Sequence, residues 1–319
     1  MPTAGSGNLI TTEDLTRKFG TLVAVDRLNV HVRQGDIYGF LGPNGAGKTT
    51  TIRMLSTLIK PTSGTACIMG HDVQSEPNRA RRAIGIMPER PGFYEEMTGR
   101  KQLRFYGEFY KIPRNRLDPR IEELMTRVGV SRFIDAHIKT YSHGMRKRLA
   151  IAQALLHEPR ILILDEPSTG LDPAGVQEFR ELIRSLNKDG YTIFLSSHVL
   201  PEIQQVCNRV GILRRGQLVA EDTIDNLRKQ LEARSSDRIT IMATGVDDAL
   251  MASVRAIDGV ASADRSDWGL LVLAEPGSSV QARVNDALVR GGARVTGFTT
   301  LQPTLEDVFL DITGGETDV

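Results

Sequence analysis

The sequence predicts an α/β fold built around a phosphate-binding loop, followed by a small α+β domain. Three observations predict it. Gly42-Pro43-Asn44-Gly45-Ala46-Gly47-Lys48-Thr49 fits G-x-x-x-x-G-K-[ST] and sits between an apolar strand pattern over residues 37–41 and a helical pattern over residues 50–59. Ile161-Leu162-Ile163-Leu164 is an apolar run ending in two carboxylates, Asp165 and Glu166. Buried parallel strands read this way, and α/β sites lie at their carboxyl ends. From residue 238 the pattern runs strand, helix, strand, strand, helix, strand, the ferredoxin-like order.

The 319 residues suffice for one large domain and a small one. The 40 basic and 39 acidic residues leave a net charge of +1, so no basic excess points to nucleic acid and no acidic excess to a disordered tail. Residues 1–8 show neither a basic nor an apolar leader region, so no signal peptide is expected. No run reaches the roughly 18 apolar residues of a membrane helix. Cys67 and Cys207 lack metal-type spacing and read as structural thiols in a reducing cytoplasm.

Taken in order, residues 9–35 alternate like strands, with Leu28, Val30 and Val32 on one face. Phe19, near the phosphate loop in sequence, is either a packing residue or a surface on which a base can stack. In the loop, glycines let the backbone turn its N–H groups inward, and the next helix adds its positive end. Lys48 can reach β and γ phosphates, the Thr49 hydroxyl can ligate Mg²⁺, and Thr50 begins the helix. A short strand is expected over 65–69, a basic helix over 79–83, and a strand over 84–88. Residues 96–137 read as helical, with Leu103, Tyr106, Gly107 and Tyr110 on one face expected in a core, and Pro113 and Pro119 separating helices.

Tyr141-Ser142-His143-Gly144-Met145 opens another helix, either as a simple cap or as an anion site. Asp165 is placed to hold Mg²⁺ through water, and Glu166 to polarise an attacking water. An amphipathic helix over 179–187 and an apolar strand over 191–196 follow. The strand leads to His198, level with Glu166 and a candidate γ-phosphate sensor. Residues 209–222 read as a hairpin turning at Arg214-Arg215-Gly216, and 224–232 as a closing helix. A linker is expected at 233–237, then strands at 238–243, 260–265, 268–274 and 294–299, helices at 247–257 and 278–290, and a last helix after Pro303. Trp268 reads as a packing residue. With no titratable cluster, this domain is expected to regulate or to make dimer contacts.

Together these motifs resemble the nucleotide-binding subunit of an ATP-binding cassette (ABC) transporter over residues 9–232. Gly42 to Thr49 matches the Walker A motif, Ile161 to Glu166 the Walker B strand with its catalytic glutamate, and Ser168-Thr169-Gly170-Leu171-Asp172 the D-loop. His198 matches the switch histidine and Phe19 the adenine-stacking aromatic. Ser142 and Gly144 match the signature L-S-G-G-Q, while His143 and Met145 depart from it. Glu89 stands where the family usually has a glutamine that touches Mg²⁺; a carboxylate is also a hard oxygen ligand but adds negative charge.

The resemblance implies a P-loop NTPase of ABC type, with a mixed sheet core, an antiparallel β part and a helical subdomain at about 96–157. It assigns 1–232 to the cassette and 238–319 to an accessory domain. It implies ATP and Mg²⁺, and a homodimer holding ATP between one copy's Gly42–Thr49 loop and the other's Ser142–Gly144. The sequence from Thr304 to Gly314 and the extra domain are similar to those of two-component drug and ABC-2 type exporters. That similarity implies a separately encoded integral-membrane permease and a place on the inner face of the cell membrane. Alternatives are an importer ATPase, or a soluble cassette ATPase acting on ribosomes or DNA. The latter usually shows two cassettes or basic arms, and this chain has one phosphate loop and balanced charge.

Overall fold

The computed structural model describes residues 7–227, 229, 238–266, 269–275, 278 and 280–301. The chain divides into two compact units between Thr223 and Ile224. In the first, the strands are β1 (Asn8–Phe19), β2 (Leu22–Leu28), β3 (His31–Arg33), β4 (Ile37–Leu41), β5 (Ser63–Ile68), β6 (His71–Asp72), β7 (Ile84–Met87), β8 (Ile161–Leu164), β9 (Thr192–Ser197), β10 (Arg209–Arg214) and β11 (Gln217–Thr223). Its helices are α1 (Lys48–Leu55), α2 (Pro77–Ala83), α3 (Gly99–Phe109), α4 (Arg114–Arg127), α5 (His143–Leu155), α6 (Pro173–Lys188) and α7 (Leu200–Val206).

Strands β1, β2, β3, β5 and β6 form an antiparallel sheet. The second sheet has the order β11-β10-β4-β9-β8-β7 and is parallel from β10 to β7. Every residue of β4 and of β8 is buried, as continuous apolar runs predict for strands covered on both faces. Tyr38 and Phe40 of β4 pack on Phe194 of β9 with ring centroids 5.5 and 5.2 Å apart. Parallel registry has a consequence for chemistry. Leu41 pairs with Ser197, and Leu164 with Leu195, so the chain leaves β4, β8 and β9 at one end of the sheet. Gly42, Asp165 and His198 are therefore neighbours by topology.

Three local readings differ from the structure. Helix α1 stops at Leu55, short of residue 59, because Thr57 takes a left-handed backbone (φ 60). Pro119 lies inside α4 and does not separate helices; Pro113 sits at its N-cap. Burial of Leu117, Ile121, Leu124 and Met125 carries the helix past the hydrogen bond that the proline cannot make. The third concerns the aromatic face of α3. Leu103 and Gly107 are buried, and Leu117 packs where a Cβ on Gly107 would stand. Tyr110, however, is 43% exposed, and Phe109 68%. Phe105 makes edge-on contacts with Tyr94, Tyr106 and Phe109, so these rings form a surface cluster rather than a core.

The second unit contains β12 (Arg238–Thr244), α8 (Asp248–Arg255), β13 (Val260–Ser266), β14 (Gly269–Ala274), α9 (Gln281–Arg290) and β15 (Arg294–Leu301). Its antiparallel sheet has the order β13-β14-β12-β15. Ile239 and Ile241 alternate inward to meet Leu250, Val254, Val284 and Leu288 of the two helices. Trp268, the linker, and the segment after Leu301 with its expected last helix lie outside the described residues.

His157, just past α5, fastens that helix to the sheet. Its Nε2–H donates to the Ile84 carbonyl at 2.9 Å, and its ring stacks on Tyr110 at 4.1 Å. Burial pushes its imidazole below the ordinary 6.5. Below pH 6.5 the unfolded chain therefore binds more protons than the folded one, and stability falls as pH falls. His157→Gln keeps a donor for Ile84 and removes the titration. Urea unfolding of this variant should show a shallower loss of stability below pH 6.5 than wild type; equal slopes would exclude a neutral buried His157.

Candidate active site

The phosphate loop follows β4. Gly45 and Gly47 have φ of 77° and 107°, which L side chains rarely adopt, and a Cβ on Gly47 would stand 2.5 Å from the Ala24 carbonyl oxygen. No side chain caps the first N–H groups of α1, an arrangement suited to an anion. Lys48 is 6% exposed; its Nζ donates to the carbonyls of Gly42 and Pro43 at 2.6 and 3.2 Å and lies 3.3 Å from Glu166 Oε1.

Beside it, the residues after β8 meet those of β9. Asp165 is 3% exposed, and burial raises its carboxyl above the usual range while the Ser196 and Thr49 hydroxyls hold it down. Ser196 Oγ donates to Asp165 Oδ1 at 2.6 Å and accepts the Glu166 N–H at 3.0 Å. Glu166 adopts φ 46, the left-handed region in a residue with a Cβ. Its Oε2 lies 2.9 Å from His198 Nδ1. An ionised carboxylate only accepts, so Nδ1 donates to Glu166. Lys147, from α5, is 1% exposed and donates to the carbonyls of Glu166 and Pro167 at 3.0 and 2.7 Å. Burial pushes its ammonium down to about 8.

A cleft of about 490 Å³ gathers most of the expected residues: Phe19, Asn44 to Thr50, Glu89, Glu166 and His198 line it together. Gly42 and Pro43 lie under Lys48, and Asp165 is buried behind Glu166. Phe19 is no packing residue; it is 45% exposed at the end of β1, with the Arg17 guanidinium 4.4 Å from its ring centroid. Ser142, His143 and Gly144 are not brought to this cleft. They line a separate one of about 940 Å³ with the 170–172 turn. There Ser142 Oγ caps α5 by accepting the Met145 N–H at 3.3 Å, and His143 Nε2 lies 3.2 Å from the Thr169 carbonyl.

Two residues at the centre escaped sequence reasoning. Ser196 was visible only as part of a strand end. Lys147 reads as the middle of a solvated Arg146-Lys147-Arg148 run, and only its place on the inner face of α5 reveals it.

A phosphate loop after β4 and two carboxylates after β8, at the same end of one parallel sheet, place the protein among the P-loop nucleotide hydrolases. A family model described as ABC transporter matches residues 25–169, and one described as an AAA domain matches residues 136–203. The bacitracin transport ATP-binding protein BcrA of Bacillus licheniformis is 41% identical over 314 residues, covering 97% of this chain and 98% of BcrA. The daunorubicin resistance ATP-binding protein DrrA3 of Streptomyces coeruleorubidus is 34% identical, covering 96% of each chain. A solved ATP-binding subunit of an ABC transporter superposes with a TM-score of 0.64 at 30% identity, over 70% of this chain and 92% of its own. A dimeric ATP-binding cassette bound to ADP and Pi shares the fold, with a TM-score of 0.61 at 23% identity, over 67% of this chain and 98% of its own. The chain belongs to the ATP-binding subunits of ABC transporters. It is an ATPase that powers transport.

Ser196→Ala removes the one hydroxyl that serves both Asp165 and the Glu166 N–H. Leaving these buried groups without it should cost about 1–3 kcal/mol. Urea unfolding measures this; a loss below ~0.5 kcal/mol would show that other groups take over both bonds.

Proposed function

We propose that this chain powers export through a separately encoded ABC-2 type permease on the inner face of the cell membrane. The observation that carries the proposal is that transport and resistance ATPases match it nearly end to end, the second unit included. No described helix is long and apolar enough to cross a membrane. The exposed rings of Tyr94, at the end of the 89–94 loop, and Phe109, joined by half-buried Phe105 and Tyr106, offer the permease an apolar landing surface.

In the mechanism, the Gly42–Thr49 loop and the α1 N-terminus bind the triphosphate, Thr50 extends that contact, and Phe19 stacks on the base. Lys48 leaves the Glu166 carboxylate for the β and γ phosphates. That exchange frees Oε1, whose lone pair takes the proton of the attacking water. His198, oriented through its Nδ1–H to Glu166, contacts the γ-phosphate as a donor, with Nε2 also carrying a proton. The donor set of Asp165, the Thr49 hydroxyl and Glu89 consists of hard oxygens and fits Mg²⁺. No group of three acidic, His or Cys side chains among the described residues could hold a metal alone, so phosphate oxygens must complete the shell. When bound, Mg²⁺ supplies neutralisation of the phosphate charge. Ser142, His143 and Gly144 serve the nucleotide held by the second copy, since they line a cleft apart from their own phosphate loop.

Glu166→Gln should cut hydrolysis by about a hundredfold or more, the scale of a lost general base, while ATP is retained in an equilibrium titration. Near-normal turnover would remove Glu166 from that role. Affinity capture from detergent-solubilised source membranes with MgATP should recover a polytopic membrane protein. Ribosomes or DNA complexes without a membrane partner would overturn the transport reading.

A further inference from the structure

One cation near the reaction takes no part in the mechanism above. Lys147 is among the largest fully buried side chains of the protein, 1% exposed. A lysine so placed needs acceptors for its ammonium. It finds them in the main chain, at the carbonyls of Glu166 and Pro167, 3.0 and 2.7 Å away. Glu166 is the residue whose backbone is strained, at φ 46. Its N–H is held from the other side by Ser196. The two bonds together clamp the peptide units on both sides of the Glu166 Cα, and so set where the carboxylate points.

Lys147 also ties this clamp to helix α5. Helix α5 begins at its cap, Ser142, inside the other cleft. Lys147 follows five residues later, about 7–8 Å along the helix axis. A helix of this kind moves as a rigid piece, so the loop at its start and the clamp on Glu166 shift together. His143 adds a second tie, to the carbonyl of Thr169, itself in the wall of the phosphate cleft.

We propose that Lys147 is a positioning residue for hydrolysis: through its bonds to the Glu166 and Pro167 carbonyls, it couples the placement of the catalytic carboxylate to the helix whose first turn meets the partner copy's nucleotide. The coupling makes the carboxylate of one copy sensitive to the nucleotide of the other. This inference rests on the reading of Glu166 as the base and goes beyond it by naming what aims that base.

The test uses the full chain with its permease. Lys147→Met keeps the stem and removes the donors. Lys147→Gln keeps two donors on a stem one atom shorter. Misplacing a reacting group by about 1 Å costs up to ~100-fold in rate, so Lys147→Met should lose about 10- to 100-fold in kcat. The KM for ATP, and the affinity for ATP in a direct titration, should stay unchanged. Lys147→Gln should fall between Lys147→Met and wild type, again through kcat alone. Combined with Ser142→Ala, Lys147→Met should lose less than the product of the two single losses, because both act through α5. Losses that multiply, or a fall in kcat matched by lost ATP affinity, would overturn the proposal. So would a Lys147→Gln enzyme as fast as wild type, which decides the matter even if Lys147→Met does not fold. Glu166→Gln run alongside separates the two readings. If it hydrolyses normally, the base assignment fails; if it is inactive while Lys147→Met is not slowed, only the positioning role fails.

Discussion

The first unit depends on how one peptide is held. Glu166 follows a fully buried strand and turns into the left-handed region, which costs a residue with a side chain about 1–3 kcal/mol. A net hydrogen bond contributes about 1 kcal/mol, and one from an ammonium about 1.5–3. The Ser196 and Lys147 bonds, together about 2.5–4 kcal/mol, offset that strain. The strain has a use. It turns the carboxylate out of the sheet, where Lys48 and His198 meet it at 3.3 and 2.9 Å. An extended residue there would continue β8 and leave its side chain among the strands.

The parallel sheet makes this junction possible. Gly42, Asp165 and His198 are far apart in sequence, yet the registry of β4, β8 and β9 brings their strand ends level. Glycines in the loop then let α1 start close to Ala24, which points its first N–H groups toward the same region. The antiparallel sheet contributes Phe19 from the end of β1. Two sheets of different kind therefore divide the labour. The parallel one carries the phosphate loop and the carboxylates, and the antiparallel one sets an exposed aromatic ring in the same cleft.

Most of this was legible in the sequence, and for a physical reason. Apolar runs fix buried strands, and glycines and carboxylates at their ends mark where the chain must turn and what it presents. What stayed hidden depends on which neighbour covers a face. Helical spacing grouped Leu103, Tyr106, Gly107 and Tyr110 correctly on one side of α3, but could not tell that the aromatic end of that side meets solvent. Pro119 reads as a breaker, yet tertiary burial of Leu117 and Ile121 outweighs one missing hydrogen bond. Alternation leaves Phe19 between packing and stacking, since it says nothing about what lies past the end of a strand. Lys147 is the extreme case. Nothing in the run Arg146-Lys147-Arg148 separates it from a solvated lysine, and only its burial on α5 brings it to two carbonyls.

The two clefts are distinct within one chain. The lining of the phosphate cleft and that of the Ser142 cleft share no residue. The clefts are nonetheless joined through the chain. Thr169 lies in the wall of one, and its carbonyl meets His143 of the other; Asp172, three residues on, caps α6 beside the same loop. Short polar ties of this kind transmit displacement because they cannot stretch by more than a few tenths of an ångström before they break. On the dimeric reading proposed above, closing a second copy over the Ser142 cleft would press on the segment that leads back to Glu166. On that reading hydrolysis is a property of the assembled pair, built from a carboxylate aimed from within its own chain and a nucleotide completed from outside it.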